Sequence, residues 1–251
     1  MNKVNTTIQK VVFFKDSNLN YTPYDNLVVN HKYNIFTFIP IVIFNQFKFF
    51  GNLFYLVMTV SQFFDIFKVG FLFSYLSPLV IVIIVTMVKE AYDDIKRHIQ
   101  DRNTNNEEYL KYSLSSTNKR KSSSYIIKSK VIKIGDIIEI GKNQRIPADM
   151  VLLKSVNENG NNNLFIRTDQ LDGEADWKLR KSPSCSFKKS IYDMITLEGC
   201  INYIPPSKNI YSFEGVINFV NHDGTLQKES LNLENTLWAS TILASEKAIG
   251  S

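Results

Sequence analysis

The sequence predicts an α+β membrane protein, in which a transmembrane helical hairpin carries a cytosolic domain made mainly of β-strands. Two observations lead to this fold class. Residues 69–88 contain no charged side chain over 20 positions, about the length of a helix that crosses a bilayer. From about Ser124 onward, short runs rich in Ile and Val alternate with turn residues, which is typical of a compact β domain.

Two segments precede the hairpin: a predicted cytosolic arm, residues 1–32, and an apolar, aromatic segment, residues 33–48. We expect the second segment to lie in the membrane interface, because Pro40 breaks a regular helix. The predicted transmembrane helices are residues 49–66 and 69–88. A buried hairpin of a soluble protein is the alternative. A re-entrant pair is disfavoured, since the second run has the full length of a span.

The orientation of the hairpin follows from the basic residues near its ends. Only Lys68, beside Asp65, lies between the spans, whereas the stalk at 89–108 is rich in basic residues. Those close to the second span are Lys89, Lys96, Arg97 and Arg102. The sequence therefore predicts that both termini are cytosolic.

Residues 109–251 form the predicted β domain, with turn signals at Gly135-Asp136, at Pro147 and in the Asn-rich run 157–163. A further short strand is expected in the arm, at residues 8–14. Strands of the domain itself are predicted within residues 124–140, 148–155, 164–168, 212–220 and 236–245.

Charge and cysteine usage narrow the classes of function. The net charge is +5, and residues 89–133 account for it with 11 basic and 6 acidic side chains. The basic, serine-rich loop 118–124 is a weak signal for nucleic acid; attraction to anionic lipid headgroups or plain solvation explains it better. Cys185 and Cys200 are expected to be free thiols, and no spacing predicts a metal site.

Two familiar ligand-binding patterns fail on inspection. The run from Gly135 resembles a phosphate-binding loop, but the spacing of its glycines is wrong and Asn143 stands where Ser or Thr would meet magnesium. A calcium loop around Gly173 would place Leu179 where a bidentate Glu is needed.

The most informative stretch is "FIRTDQLDGEADWKLR", residues 165–180. Its four carboxylates surround Gly173, which tolerates a positive φ, so a sharp turn is predicted there. These acids are Asp169, Asp172, Glu174 and Asp176. A solvated acidic turn and a catalytic turn are both compatible with this composition alone.

Longer motifs distinguish between these two possibilities. "RIPAD" (145–149) and "LDGE" (171–174) resemble the actuator-domain signatures of P-type ATPases. "FNQFKFFGNLFYL" (44–56) is similar to the first-span signature of type IV members, the phospholipid flippases. "SFEG" and "ENTLWAS" resemble the branch that works without an accessory β-subunit. Asp172 stands where cation pumps usually carry Thr, which favours a lipid cargo.

The resemblance implies a catalytic role for the acidic turn. Glu174 would orient and deprotonate the water that attacks an aspartyl phosphate, while Gly173 and Asp172 would set the geometry of the turn. The chain departs from the family pattern at Ala175, where a threonine is usual, which removes a hydroxyl but not the base. The resemblance also implies a distorted jelly-roll fold for the actuator domain.

Structural roles are expected for several other residues. Asp169 and Asp176 are expected to pair with a basic neighbour, Arg167, Lys178 or Arg180. Pro147 and Asp149 are expected to fix their loop.

Polar side chains in the membrane segments carry a further expectation. Gln46 and Asn52 would border a lipid groove by resemblance, with interfacial anchoring or helix packing as the alternative. Pro78 is expected to kink the second span.

The chain shows no phosphate-accepting aspartate motif, so ATP and Mg²⁺ are expected only for a complete pump. The expected partners are a phospholipid, the bilayer and a phosphorylation domain, with no nucleic acid and no required β-subunit. The resemblance suggests Golgi, endosomal or plasma membranes. A non-catalytic, membrane-anchored regulatory module or a truncated paralogue is the alternative, and part of a cation pump is disfavoured.

Overall fold

The computed structural model describes residues 9–13, 25–114, 122–156, 160–196, 199–204, 209–220 and 224–251. These residues belong to two compact units. One is helical and consists of residues 28–105; the other is mainly β and consists of residues up to 27 together with 106–251. The α+β class predicted from the sequence is confirmed.

The helical unit contains α1 (Ile35–Gln46), α2 (Phe50–Ser61) and α3 (Leu72–Asn105). Among the described residues, α3 is the helix that by itself is long and apolar enough to cross a membrane. The axes of α1 and α2 meet at 89°, and together they pass the same test as one bent pair. The first arm of the hairpin is therefore bent, while the second continues directly into the charged stalk.

The structure corrects two details of the predicted first arm. The helix predicted over residues 49–66 is α2, which ends at Ser61. The buried side chain of Gln62 holds the chain in a turn there: its amide donates to the Phe67 carbonyl at 3.3 Å, and its oxygen accepts from the Val69 amide at 3.1 Å. The prediction that Pro40 breaks the preceding helix is wrong. Pro40 lies inside α1, which continues on both sides although proline lacks one N–H donor.

An extended segment at the start of the helical unit is bonded along the charged end of α3. The buried carboxylate of Asp101 accepts from the backbone amides of Asn30 (2.7 Å) and His31 (3.0 Å). It also accepts from the Asn30 side chain at 2.8 Å and contacts Nδ1 of His31 at 3.1 Å. Asn105 exchanges two hydrogen bonds with the backbone of Val28. Residues 28–31 thus take their shape from side chains of α3.

The strands of the β unit pair antiparallel throughout its described part. The strands are β1 Gln9–Phe13, β2 Glu108–Leu114, β3 Ser122–Lys128, β4 Ile137–Gly141, β5 Met150–Val156, β6 Asn163–Arg167, β7 Trp177–Lys181, β8 Gly199–Tyr203, β9 Gly215–Val220, β10 Leu226–Leu231, β11 Thr236–Leu237, β12 Ile242–Leu243 and β13 Lys247–Gly250. They form sheets with the strand orders β1-β8-β9-β10, β11-β5-β13-β4-β2-β3 and β12-β6-β7.

The described part of the β unit also contains three short α-helices: α4 (Asp169–Asp172), α5 (Ser184–Phe187) and α6 (Ile191–Thr196). One hydrophobic cluster packs β6 against β5 and β12, through Leu152, Leu164, Ile166, Leu243 and others. Since β6 leads directly into the acidic turn, that turn starts from a rigid base.

Most strand predictions are confirmed, including the turn at Gly135, whose φ is 87°. The continuous strand predicted over 236–245 is wrong. Two short strands, β11 and β12, occupy this region, and Ser240 between them has a φ of 70°. The Thr241 hydroxyl donates to the Trp238 carbonyl at 2.7 Å and closes that turn. In the basic loop 118–124, residues 118–121 lie outside the described part of the chain.

Candidate active site

The acidic turn connects two paired strands. β6 ends at Arg167, which lies opposite Trp177 at the start of β7. Between them, α4 makes a single helical turn, and Gly173 follows with a φ of 76°. The predicted sharp turn is confirmed, and it projects from the end of a hairpin whose β6 strand is anchored in the hydrophobic core.

Asp172 stabilises this turn from within by hydrogen bonds and an ion pair. Its Oδ1 accepts a hydrogen bond from the Glu174 amide at 3.0 Å. Its Oδ2 accepts from the Thr168 hydroxyl at 3.1 Å and contacts the ammonium group of Lys178. The hydrogen bond from Lys178, together with those from Glu174 and Thr168, lowers the pKa of Asp172 to about 2. The carboxylate is therefore ionised at neutral pH, and both of its oxygens are engaged by groups of the same turn and of β7.

Glu174 differs from Asp172 in its exposure, since 56% of its side chain is accessible to solvent. Its Oε2 lies 2.8 Å from Nζ of Lys178. Lys178 is held between the two carboxylates, whose hydrogen bonds raise its pKa, and its Nζ lies 5.7 Å from the ring centroid of Tyr211. The turn thus presents one oriented carboxylate to the exterior.

Gly173 is required by conformation. Its positive φ is one that side chains with a Cβ rarely adopt, and no heavy atom lies within 4 Å of the place a Cβ would occupy. The next residue, Ala175, is exposed. A group that approached the turn would therefore meet open space around Gly173.

The expected pairing of the flanking acids is wrong for two of the three basic neighbours. Lys178 binds Asp172 and Glu174, not Asp169 or Asp176. Arg180 is buried, and its Nε donates to the Thr236 carbonyl at 2.8 Å. This burial lowers the pKa of Arg180. This hydrogen bond connects β7 to the first residue of β11.

Pro147 and Asp149 lie in the loop before β5, where both make structural contacts. Oδ1 of Asp149 accepts from the Ala239 amide at 2.8 Å. The Pro147 carbonyl accepts from the side chain of Asn26 at 3.0 Å. These bonds join the loop to two distant segments of the β unit, in keeping with a structural role.

The two polar residues singled out in the membrane segment lie together at the bend between α1 and α2. The side-chain amide of Asn52 donates to the backbone carbonyl of Gln46 at 3.0 Å and to its side-chain oxygen at 3.2 Å. Each is half-buried. The bend therefore carries a polar pair that satisfies part of its own hydrogen bonding.

Comparison with known proteins decides the family. Residues 8–76 match the sequence profile of the family described as "Phospholipid-translocating ATPase N-terminal". This profile covers the predicted first span and the polar pair at the bend. Residues 8–76 carry the N-terminal domain of the phospholipid-translocating ATPase family. Its relatives belong to the type IV P-type ATPases, the flippases.

The similarity to members of this family extends across the β unit. A probable phospholipid-transporting ATPase tat-5 from Caenorhabditis elegans is 42% identical over 94% of the chain and 21% of its own length. The probable phospholipid-transporting ATPase IIB of Homo sapiens is 44% identical over 90% of the chain and 19% of its length. For the phospholipid-transporting ATPase NEO1 of Saccharomyces cerevisiae the figures are 44%, 88% and 18%. The chain spans about a fifth of these flippase relatives.

Sequence reasoning missed part of the candidate site. It treated Lys178 as an alternative partner of flanking acids and did not single out Tyr211. The i,i+4 spacing of Glu174 and Lys178 is a signal that could have suggested their ion pair, although it is a rule for helices. No residue signal connects Tyr211 to the turn, because the two are distant in sequence.

Proposed function

We propose that this chain is the N-terminal portion of an ATP-driven phospholipid pump, and that its β unit is the actuator domain that dephosphorylates the pump. One observation carries the proposal: Glu174 presents an exposed, oriented carboxylate beside Gly173 on a turn anchored by Asp172. A catalytic base has to reach the substrate, whereas the oxygens of a purely structural carboxylate are more often occupied by hydrogen bonds within the chain. Asp172, with its three contacts, is such an acid.

The proposed chemistry is the hydrolysis of an acyl phosphate on another domain of the pump. A water molecule attacks phosphorus, and Glu174 accepts the proton that this water loses. The bond between phosphorus and the aspartyl oxygen breaks, which regenerates the aspartate carboxylate and releases inorganic phosphate. Gly173 allows the backbone of the turn to approach the phosphoryl group, because no Cβ stands in the way.

The domain layout forms part of the proposal. Residues 1–32 would be a cytosolic arm, 33–48 an interfacial segment, 49–66 and 69–88 the membrane helices, 89–108 a stalk and 109–251 the actuator domain. With both termini in the cytosol, the turn faces the compartment that supplies ATP. No group of three His, Cys, Asp or Glu side chains among the described residues could hold a metal ion. ATP and Mg²⁺ are proposed to bind to other parts of the pump.

The substrate is proposed from the relatives and the bend. The proteins compared above are named phospholipid-transporting ATPases, which supports a phospholipid cargo over a cation. We propose that lipid moves from the exoplasmic to the cytosolic leaflet past Gln46 and Asn52, without a required β-subunit, in Golgi, endosomal or plasma membranes. Loss of headgroup discrimination in Asn52→Ala, measured by uptake of fluorescent lipids, would support the place of this pair on the path.

Phosphoenzyme turnover tests the central claim. The chain would replace the matching region of the yeast relative NEO1, and the phosphoenzyme formed from labelled ATP would be chased with unlabelled ATP. Loss of a general base slows its step about 10²- to 10⁴-fold, so Glu174→Gln should form the phosphoenzyme but lose it at least about a hundredfold more slowly. Glu234→Gln is the matched control, because Glu234 is 53% exposed and also pairs with a lysine, Lys181, at 3.2 Å.

Decay as fast in Glu174→Gln as in the unmodified chimera would remove Glu174 from the mechanism. That result would favour the alternative that the chain is a non-catalytic regulatory module. Equal slowing in Glu174→Gln and Glu234→Gln would also count against the proposal, since it would trace the defect to general damage of the domain surface.

A further inference from the structure

We propose that Lys178 is a positioning residue for dephosphorylation, which fixes the carboxylate of Glu174 and reduces the repulsion between the acidic turn and the incoming phosphate. Since Lys178 acts through Glu174, its role rests on the proposed function. The observation behind it is a chain of contacts that runs from the core-anchored hairpin to the exposed carboxylate: Asp172, Lys178, Glu174.

Lys178 itself is held in place by two neighbours, Asp172 and Tyr211. Asp172 is the more enclosed partner, with 4% of its side chain exposed, and it contacts the ammonium group directly. The lysine side chain is 24% exposed and places its Nζ over the ring of Tyr211. A lysine side chain in water is mobile, and fixing it costs conformational entropy. Here the carboxylate and the ring fix the position of Nζ before Glu174 is considered.

The ion pair between Lys178 and Glu174 affects orientation more than stability. An ion pair between exposed groups contributes between about 0 and 1 kcal/mol, so the pair of Lys178 with Glu174 does little for folding. Its effect lies in orientation. Nζ contacts Oε2 of Glu174 at 2.8 Å, which holds that oxygen towards Lys178. We expect the other oxygen, Oε1, to accept the proton from water.

Lys178 also changes the net charge of the acidic turn. Asp172 and Glu174 lie two residues apart on a tight turn, and both repel a phosphate dianion. Lys178 offsets one of their two negative charges. Without the ammonium group, the two carboxylates would repel each other as well as the phosphate, and Glu174 would turn outward into solvent. The lysine thus keeps the base close to a substrate of the same sign of charge.

The test uses the same chimera and the same chase. Lys178→Met should slow decay of the phosphoenzyme about ten- to a hundredfold, the scale expected when a reacting group is misplaced, and should leave its formation from ATP unchanged. Lys178→Arg should retain decay within about threefold, because a guanidinium can bridge two carboxylates. Lys181→Met is the matched control, since Lys181 lies on the same strand and pairs with Glu234. Its decay should be unchanged.

A double variant separates positioning from direct contact with phosphate. If Lys178 acts through Glu174, Glu174→Gln/Lys178→Met should decay no more slowly than Glu174→Gln alone. A further slowing that multiplies the two effects would overturn the positioning role. Asp172→Asn/Lys178→Met removes the anchoring charge together with the lysine, so it tests the role without leaving Asp172 unpaired. It should be as slow as Lys178→Met.

The outcomes distinguish this inference from the proposed function. Slow decay in Glu174→Gln together with normal decay in Lys178→Met would keep the base and reject the role of Lys178. Normal decay in Glu174→Gln would reject both. Equal slowing in the Met and Arg variants would also reject positioning, because the conservative replacement would then have failed to restore the geometry.

Discussion

The two units of this chain distribute polar and apolar side chains in opposite ways. In the described part of the helical unit, the buried polar residues Thr59, Gln62, Asp101 and Asn105 outnumber the buried apolar ones, Val42 and Leu79. Its exterior is covered with large apolar side chains. The β unit instead buries Ile, Leu and Val, as in Ile137, Leu152 and Ile166, which have exposures of 0%. Each unit therefore suits a different solvent.

This comparison shows what a hydrogen-bonded carboxylate does in each unit: Asp101 is buried, whereas Asp172 is half-buried. Asp101 shapes a separate segment, since its four hydrogen-bonded contacts come from Asn30 and His31. Asp172 shapes its own loop and orients Lys178. The first carboxylate is structural, whereas the second supports a neighbour that faces outward.

The largest predicted effect comes from one substitution made in both units. Ile84 on α3 is 54% exposed and Ile126 on β3 is 65% exposed. Lysine at the centre of a membrane helix costs about 2.5 to 3.5 kcal/mol on insertion scales, so Ile84→Lys should sharply reduce insertion of α3 into microsomal membranes. Ile126→Lys should change the free energy of unfolding by at most about 0.5 kcal/mol.

Glycosylation mapping measures the insertion, and urea denaturation of the detergent-solubilised chain measures the unfolding. Normal insertion of Ile84→Lys would show that the exposed apolar surface of α3 does not face lipid, and the contrast between the units would be lost.

Asp101→Ala is expected to have the next largest effect. Loss of an ionised acceptor with several bonds should weaken protection of the Asn30 and His31 amides by about 1.5 to 3 kcal/mol, measured by hydrogen exchange. Asp94→Ala is the control, because Asp94 accepts one backbone bond, from Lys32 at 2.8 Å. Its effect should be confined to about 1 kcal/mol. Equal effects of the two variants would refute the special role of Asp101.

Gly173→Ala tests the turn of the β unit. Adding a Cβ causes no collision there, so the cost is that of the left-handed backbone alone, about 1 to 2 kcal/mol in urea denaturation. Gly141→Ala serves as control, because Gly141 does not have a positive φ and its Cβ would lie 3.5 Å from the Gln144 side chain. A smaller loss at Gly173 than at Gly141 would contradict this account.

The smallest effect is a dependence of stability on pH. The pKa of Asp172 is about 2 in the folded chain, below the value of about 3.9 for an unfolded aspartate. The stabilisation is therefore present above about pH 4 and is lost as the pH falls towards 2. The difference in Tm between the unmodified chain and Asp172→Asn should shrink across that window. A constant difference would mean that the charge of Asp172 contributes nothing.

Local signals in the sequence predicted much of the fold. The uncharged run of α3, the glycine turns at Gly135 and Gly173 and the apolar strands β5, β6 and β9 depend on neighbouring residues, which the sequence shows directly. Strands β2, β7, β8, β10 and β13 were not predicted. β2 carries Glu108 and Lys111, and its strand state comes from pairing with β3 on one side and β4 on the other.

The candidate site divides in the same way. Gly173 and the neighbouring acids were visible because the turn is local. The contacts of Lys178 were not, because Asp172 lies across the hairpin loop and Tyr211 approaches from another part of the β unit. The burial of Arg180 was equally hidden, since its partner is the carbonyl of Thr236.

The right-angled corner between α1 and α2 has a consequence for any cargo. Asn52 closes this corner onto Gln46 by hydrogen bonds within the chain. On the lipid path proposed above, a headgroup that entered there would compete with this intramolecular bond for the same amide, and only groups able to replace that bond would be retained. Selectivity among headgroups would then depend on which of them can replace the hydrogen bonds between Asn52 and Gln46.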